Sequence, residues 1–95
     1  MAKTITQVFS AANDSVTTIN DINTNGSSSA YAGIDTTQEE INAIVQRNVD
    51  HLEKILSYAP KDEHDPMPNM AGSTRDKTKY TDAITTGKAY IASNS

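Results

Sequence analysis

Apolar residues recur at intervals of three and four over the first quarter of the chain, at Ile5, Val8, Phe9, Ala12, Val16, Ile19 and Ile22. Positions so spaced share one side of a 3.6-residue helix, so the pattern predicts a helix over residues 4–25 with a single buried face. Local composition pulls the other way. Thr6, Ser10, Asn13, Ser15, Thr17, Thr18, Asn20 and Asn23 lose rotamer freedom in a helix or compete for its backbone, and residues 4–9 read equally as an extended strand. Helix and strand therefore both stay open. A helix this weak in propensity forms only if its apolar face is covered, by the rest of the chain or by a neighbour. Asn25-Gly26 ends the segment with a residue suited to a left-handed cap.

The second segment, residues 36–59, carries the clearest helical signal. Thr36 and Glu39 have the spacing of a capping box, and Glu39 and Glu40 lie at the positive end of the expected helix. Ile41, Ile44, Val45, Val49, Leu52, Ile55, Leu56 and Ala59 form its apolar stripe. Gln38, Arg47, Asp50, Lys54 and Ser57 are left to water, with Asp50 and Lys54 spaced as an ion pair. His51 flanks the stripe as a half-buried helix residue. Pro60 ends the segment.

A third helix is expected over residues 74–92, capped by Ser73 or Thr74 with Asp76 in its first turn. Tyr80, Ala83, Ile84, Gly87 and Ile91 give it a narrow stripe with Tyr90 beside it. Ala83 and Gly87, four apart, leave room for a close approach to the second helix. Residues 74–92 carry a net +2 and residues 36–65 a net −4, which favours the two lying side by side. The connectors are residues 26–35, whose large apolar residues are Tyr31 and Ile34, and residues 60–73, which hold all three prolines together with Met67 and Met70. These two methionines either close the end of the core or face a partner groove. The sequence thus predicts one mainly α domain over residues 1–95, of two to three helices with extended loops.

Composition limits what such a domain can do. Leu, Ile, Val and Phe supply 16 of the 95 residues, whereas Ser, Thr and Asn supply 29, so the core is thin and outside support is expected. The net charge of −4 offers no field for nucleic acid or an anionic membrane. Without cysteine there are no disulfides, thiolate metal sites or thiol nucleophiles. The N-terminal stretch lacks the continuous apolar run of a signal peptide or spanning segment.

Candidate chemistry is sparse. Asp62, Glu63, His64 and Asp65 are consecutive and cannot all converge on one ion, and His51 is too far along the chain to join His64 as a helical ligand pair. No serine lies in a Gly-x-Ser-x-Gly context, and the four glycines are scattered, so neither a nucleophile elbow nor a phosphate loop is present. The expectation is a non-enzymatic protein without metal or cofactor, binding through packing. Ile5, Val8, Phe9, Tyr31, Met67, Met70 and Tyr90 are its candidate interface residues. Small accessory subunits of large symmetric assemblies, bacteriophage virions among them, are similar in composition. That similarity implies a structural or assembly subunit, such as a minor, decoration, neck or tail component. It would be present in several copies in the virion or host cytoplasm and contact protein rather than nucleic acid or membrane. The alternative is a small adaptor binding one partner through residues 36–59.

Overall fold

The computed structural model describes residues 4–26 and 37–95, and within them the chain forms three helices: α1 (Ile5–Asn25), α2 (Gln38–Ser57) and α3 (Thr78–Ser93). Each helix packs against the other two. Phe9 of α1 meets Tyr80 of α3, Ser15 of α1 meets His51 of α2, and Gln38 of α2 meets Tyr90 of α3. From these pairings α1 and α3 run parallel and α2 runs antiparallel to both. The result is a small three-helix bundle with no strand among the described residues.

The ambiguity in the first segment resolves as helix, and the sequence carries a signal for it. Thr4-Ile5-Thr6-Gln7 is itself a capping box: the Thr4 hydroxyl accepts from the Gln7 N–H at 3.1 Å, and the Gln7 side chain accepts from the Thr4 N–H at 2.8 Å. At the far end Gly26 adopts φ 76° and donates its N–H to the Ile22 carbonyl at 2.8 Å, a left-handed closure that glycine makes without strain. Between these caps Val8, Phe9, Ala12, Val16, Ile19 and Ile22 are buried. Coverage of the weak helix comes from this chain's own α2 and α3.

In α2 the cap is Thr37, one residue after the expected Thr36, which lies outside the described residues. The Thr37 hydroxyl accepts from the Glu40 N–H and donates to the Glu40 carboxylate, each at 3.1 Å, so Glu40 takes the place foreseen for Glu39. Val45, Val49, Leu52 and Ile55 are buried and Ile41, Ile44 and Leu56 half-buried. The stripe stops there. Tyr58 is already extended, and Ala59, held extended ahead of Pro60, is exposed rather than a core position. Asp50 takes a hydrogen bond from Gln46 at 2.8 Å in place of the expected Lys54 partner.

The start of α3 is a larger correction, four residues later than expected. The Ser73 hydroxyl accepts from the Arg75 N–H at 3.1 Å and the Asp76 carboxylate from the Thr78 N–H at 2.9 Å. Such two-residue side-chain turns offer the backbone an alternative to helix, so Ser73, Thr74 and Asp76 precede the helix instead of capping it. Lys77 is the N-cap and makes no side-chain cap bond.

Gly87 sets the contact of α3 with α2. A Cβ there would stand 2.5 Å from Val49 Cγ2 and 3.2 Å from Val45 Cγ1. Gly87→Ala would gain about 1 kcal/mol in helix propensity but force the helices apart, an overpacking cost of about 1–3 kcal/mol. The expected outcome is a net loss of stability in urea denaturation. A gain would show that Val49 can rotate away. The expected side-by-side placement of opposite charge is found where Lys88 and Glu53 approach to 3.5 Å, an exposed pair that contributes little.

Candidate binding surface

Residues 51, 54 and 55 share one face of α2 at its carboxyl end, and the chain then turns out through Tyr58 and returns at Met67. His51, Lys54, Ile55, Tyr58 and Met67 together line an open depression of about 340 Å³. Two of its polar members, His51 and Tyr58, are positioned by groups outside it. His51 Nδ1 lies 2.9 Å from the hydroxyl of Ser15, which is buried in α1. The Tyr58 hydroxyl donates to the Asp65 carboxylate, which also accepts from the Lys61 N–H at 3.1 Å and the Met67 N–H at 3.0 Å. One carboxylate thereby fixes two of the five lining residues. The connector is anchored further by the Ala71 N–H donating to the Tyr58 carbonyl at 2.9 Å and by Lys77 Nζ donating to the Ala71 carbonyl at 3.2 Å.

The Asp65 carboxyl is held below the usual aspartate range, first by the Tyr58 hydroxyl and then by the Met67 and Lys61 N–H groups. The same bond pushes the Tyr58 phenol above its ordinary value, assisted by desolvation and the negative charges of Asp65 and Asp62. The Asp65 contribution to loop stability is therefore present above the unfolded aspartate pKa of about 3.9 and is lost as pH falls through the lower folded value. The Tyr58 contribution is present below about pH 10 and is lost as pH rises through the higher folded value. Amide chemical shifts of Lys61 and Met67 are expected to titrate together with a midpoint below the ordinary aspartate value, and to stop doing so in Asp65→Asn. A midpoint at or above the ordinary value would show that the loop is not organised on this carboxylate.

Ser15 and His51, thirty-six positions apart, are brought together, a pairing hidden from sequence because each has the character of an ordinary helix residue. The chemistry of the pair is limited by its setting. Ser15 is 5% exposed in the middle of α1, where backbone N–H groups are committed to the preceding turn and cannot receive an oxyanion. Either the hydroxyl donates to an unprotonated Nδ1 or the Nδ1–H donates to the hydroxyl, and in both cases the bond ties α1 to α2. Asp62 and His64 are exposed, and His64 Nε2 sits 3.5 Å from Glu63. Among the described residues, no group of three or more His, Cys, Asp or Glu side chains could hold a metal ion.

The expected interface residues divide. Val8, Phe9 and Met70 are 4%, 1% and 0% exposed within this single chain, which corrects their placement on an outer face: they are the apolar volume that joins α1, α3 and the connector. Arg75 closes that end, its guanidinium 5.1 Å from the Phe9 ring centre and donating to the Thr6 hydroxyl at 3.0 Å. In the sequence Arg75 is legible only as a charge. Ile5, Met67 and Tyr90 are half-buried against the core. Ile5 and Met67 lie toward the end where α2 finishes. Tyr90 lies toward the other, its hydroxyl accepting from Gln38 at 3.0 Å. Tyr31 is outside the described residues. A second shallow concavity of about 310 Å³, lined by Glu40, Ala43, Ile44 and Arg47, marks the early part of α2. Among the described residues no helix is long and apolar enough to cross a membrane. Neither a family model, nor a curated protein, nor a solved structure matches the chain.

Proposed function

We propose that this chain is a non-enzymatic structural or assembly subunit of a larger protein complex, acting by packing its α2–connector surface against another protein. The observation that supports this reading is the depression at His51, Lys54, Ile55, Tyr58 and Met67. Two of the side chains that frame its apolar floor, His51 and Tyr58, are held through Ser15 and Asp65, which lowers the ordering cost to be met on binding. Met67 is the one expected interface residue that lines it, and its unbranched thioether adapts to an apolar partner. The compositional similarity to accessory subunits of bacteriophage particles makes a minor, decoration, neck or tail component in several copies the specific form of the proposal, acting in the virion or host cytoplasm without direct contact to nucleic acid or membrane. The adaptor reading instead draws on the concavity at Glu40, Ala43, Ile44 and Arg47, which gives the outer part of α2 a surface of its own.

A photo-reactive residue at position 54 tests the proposal in the source cells, with position 79, an exposed site on α3, as reference. The expected result is cross-linking from position 54 to one protein species at fixed stoichiometry in a large particle, abolished by Met67→Asp. Cross-links spread evenly over abundant proteins from both positions would overturn it. A one-to-one complex cross-linked from position 43 instead would favour the adaptor.

A further inference from the structure

Asn25-Gly26 is the single Asn-Gly step in the sequence, and the fold sets it at the carboxyl end of α1. Asn25 is the last helical residue and is exposed. Gly26 follows at φ 76°, with nothing within 4 Å of the place a Cβ would occupy. An asparagine side chain ahead of glycine is unusually open to attack by the next backbone nitrogen, because no Cβ shields the approach. We propose that Asn25 is a spontaneous modification site, converted to aspartate and isoaspartate at a rate set by opening of the α1 cap, and that conversion loosens the end of the helix.

The chemistry requires only water. The Gly26 nitrogen attacks Cγ of Asn25, the new N–Cγ bond closes a five-membered imide, and the Cγ–Nδ2 bond breaks. Ammonia leaves with the proton that the Gly26 nitrogen gives up. Water then adds at either imide carbonyl and opens the ring to aspartate or isoaspartate, so the net change is amide plus water to carboxylic acid plus ammonia, without oxidation or reduction. In the folded chain the attacking nitrogen is engaged, because its N–H closes the helix on the Ile22 carbonyl at 2.8 Å. Attack must wait until the last turn frays.

The product is poorly matched to its place. A carboxylate at position 25 would stand at the negative end of the helix dipole and one turn from Asp21, and the last turn of α1 contains no basic residue to offset either effect. Fraying thus permits conversion, and conversion leaves the end of the helix more frayed than before.

The full chain, held in mildly alkaline buffer at body temperature, is to be peptide-mapped for acid and isoaspartyl products at Asn25 alongside the same chain unfolded in urea. Product is expected in both, several-fold more slowly in the folded chain. Equal rates would overturn control by the cap, and absence of product from the folded chain would overturn the site. Asn25→Asp, which mimics one product, is expected to speed amide exchange at Gly26 by about two- to five-fold, with recovery in the double variant carrying Asp21→Asn. Unchanged exchange in Asn25→Asp, or no recovery, would overturn the proposed loosening.

Discussion

Phe9→Ala is expected to destabilise the isolated chain by about 3–5 kcal/mol, the range for truncating a fully buried phenylalanine. Phe9 is 1% exposed, its ring centre lies 5.1 Å from that of Tyr80 in a tilted pair, and the Arg75 guanidinium covers it from outside. Removal deletes apolar burial and the aromatic contact, and it leaves Arg75 against an emptied site. For 95 residues a typical total is about 5–14 kcal/mol, so the loss takes a large share of the reserve. Urea denaturation of purified protein provides the measurement, with the midpoint falling and the slope preserved. The sequence pattern leaves Phe9 open to cover by this chain or by a neighbour, and a Phe9 packed against a neighbour gives the opposite signature: unimolecular stability unchanged and assembly lost.

How far the fold is legible follows from which signals are local. The stripe of α2 and the left-handed stop at Gly26 depend on residues within one or two turns, and the structure agrees with both to within a few residues. So does the close approach at Gly87, where a missing side chain is read as space. The Thr4–Gln7 capping box is equally local, and giving it weight removes the strand alternative. The boundary of α3 escapes the sequence because hydroxyl and carboxylate side chains at Ser73, Thr74 and Asp76 suit a cap and a turn equally well. Their choice depends on how the connector is tethered at Ala71 and Lys77.

The surface is less legible than the fold, for a physical reason. Periodicity marks residues as apolar and facing one way, yet it does not say whether this chain or another covers them. Poor helix propensity in α1 points Val8 and Phe9 outward, toward a neighbour, whereas Tyr80 and the connector supply the missing cover. Met70 follows the same course and Met67 does not, although both stand in the same proline-rich stretch. The bonds that fix the depression, Ser15 to His51 and Tyr58 to Asp65, join residues whose pairing no spacing rule announces.

Leu52→Ala is expected to cost about 2–5 kcal/mol, and its consequence for binding separates folding from recognition. Leu52 is fully buried in α2 and belongs to the cluster shared by all three helices. Truncation leaves a cavity that the surrounding isoleucines and valines, stiff at χ1, fill only in part. Its neighbour His51 lines the proposed binding surface, but the Leu52 side chain itself is inaccessible to any partner. At room temperature a variant that retains several kcal/mol should stay folded and bind with little change, whereas near its lowered melting temperature binding falls with the folded fraction. Adding a partner that binds only the folded chain should raise the midpoint again, by an amount growing with the logarithm of partner concentration. Met67→Asp, at a half-buried position, should lower the midpoint less than Leu52→Ala does while weakening binding at every temperature. If Leu52→Ala were to abolish binding at room temperature with the bundle still folded, the α2 surface would have to be deformed by its core, and a rigid packing surface would be the wrong description. If the midpoint barely moved, α2 would be rotated about its axis away from the orientation that buries Leu52, and the depression at its carboxyl end would lose the residues that define it.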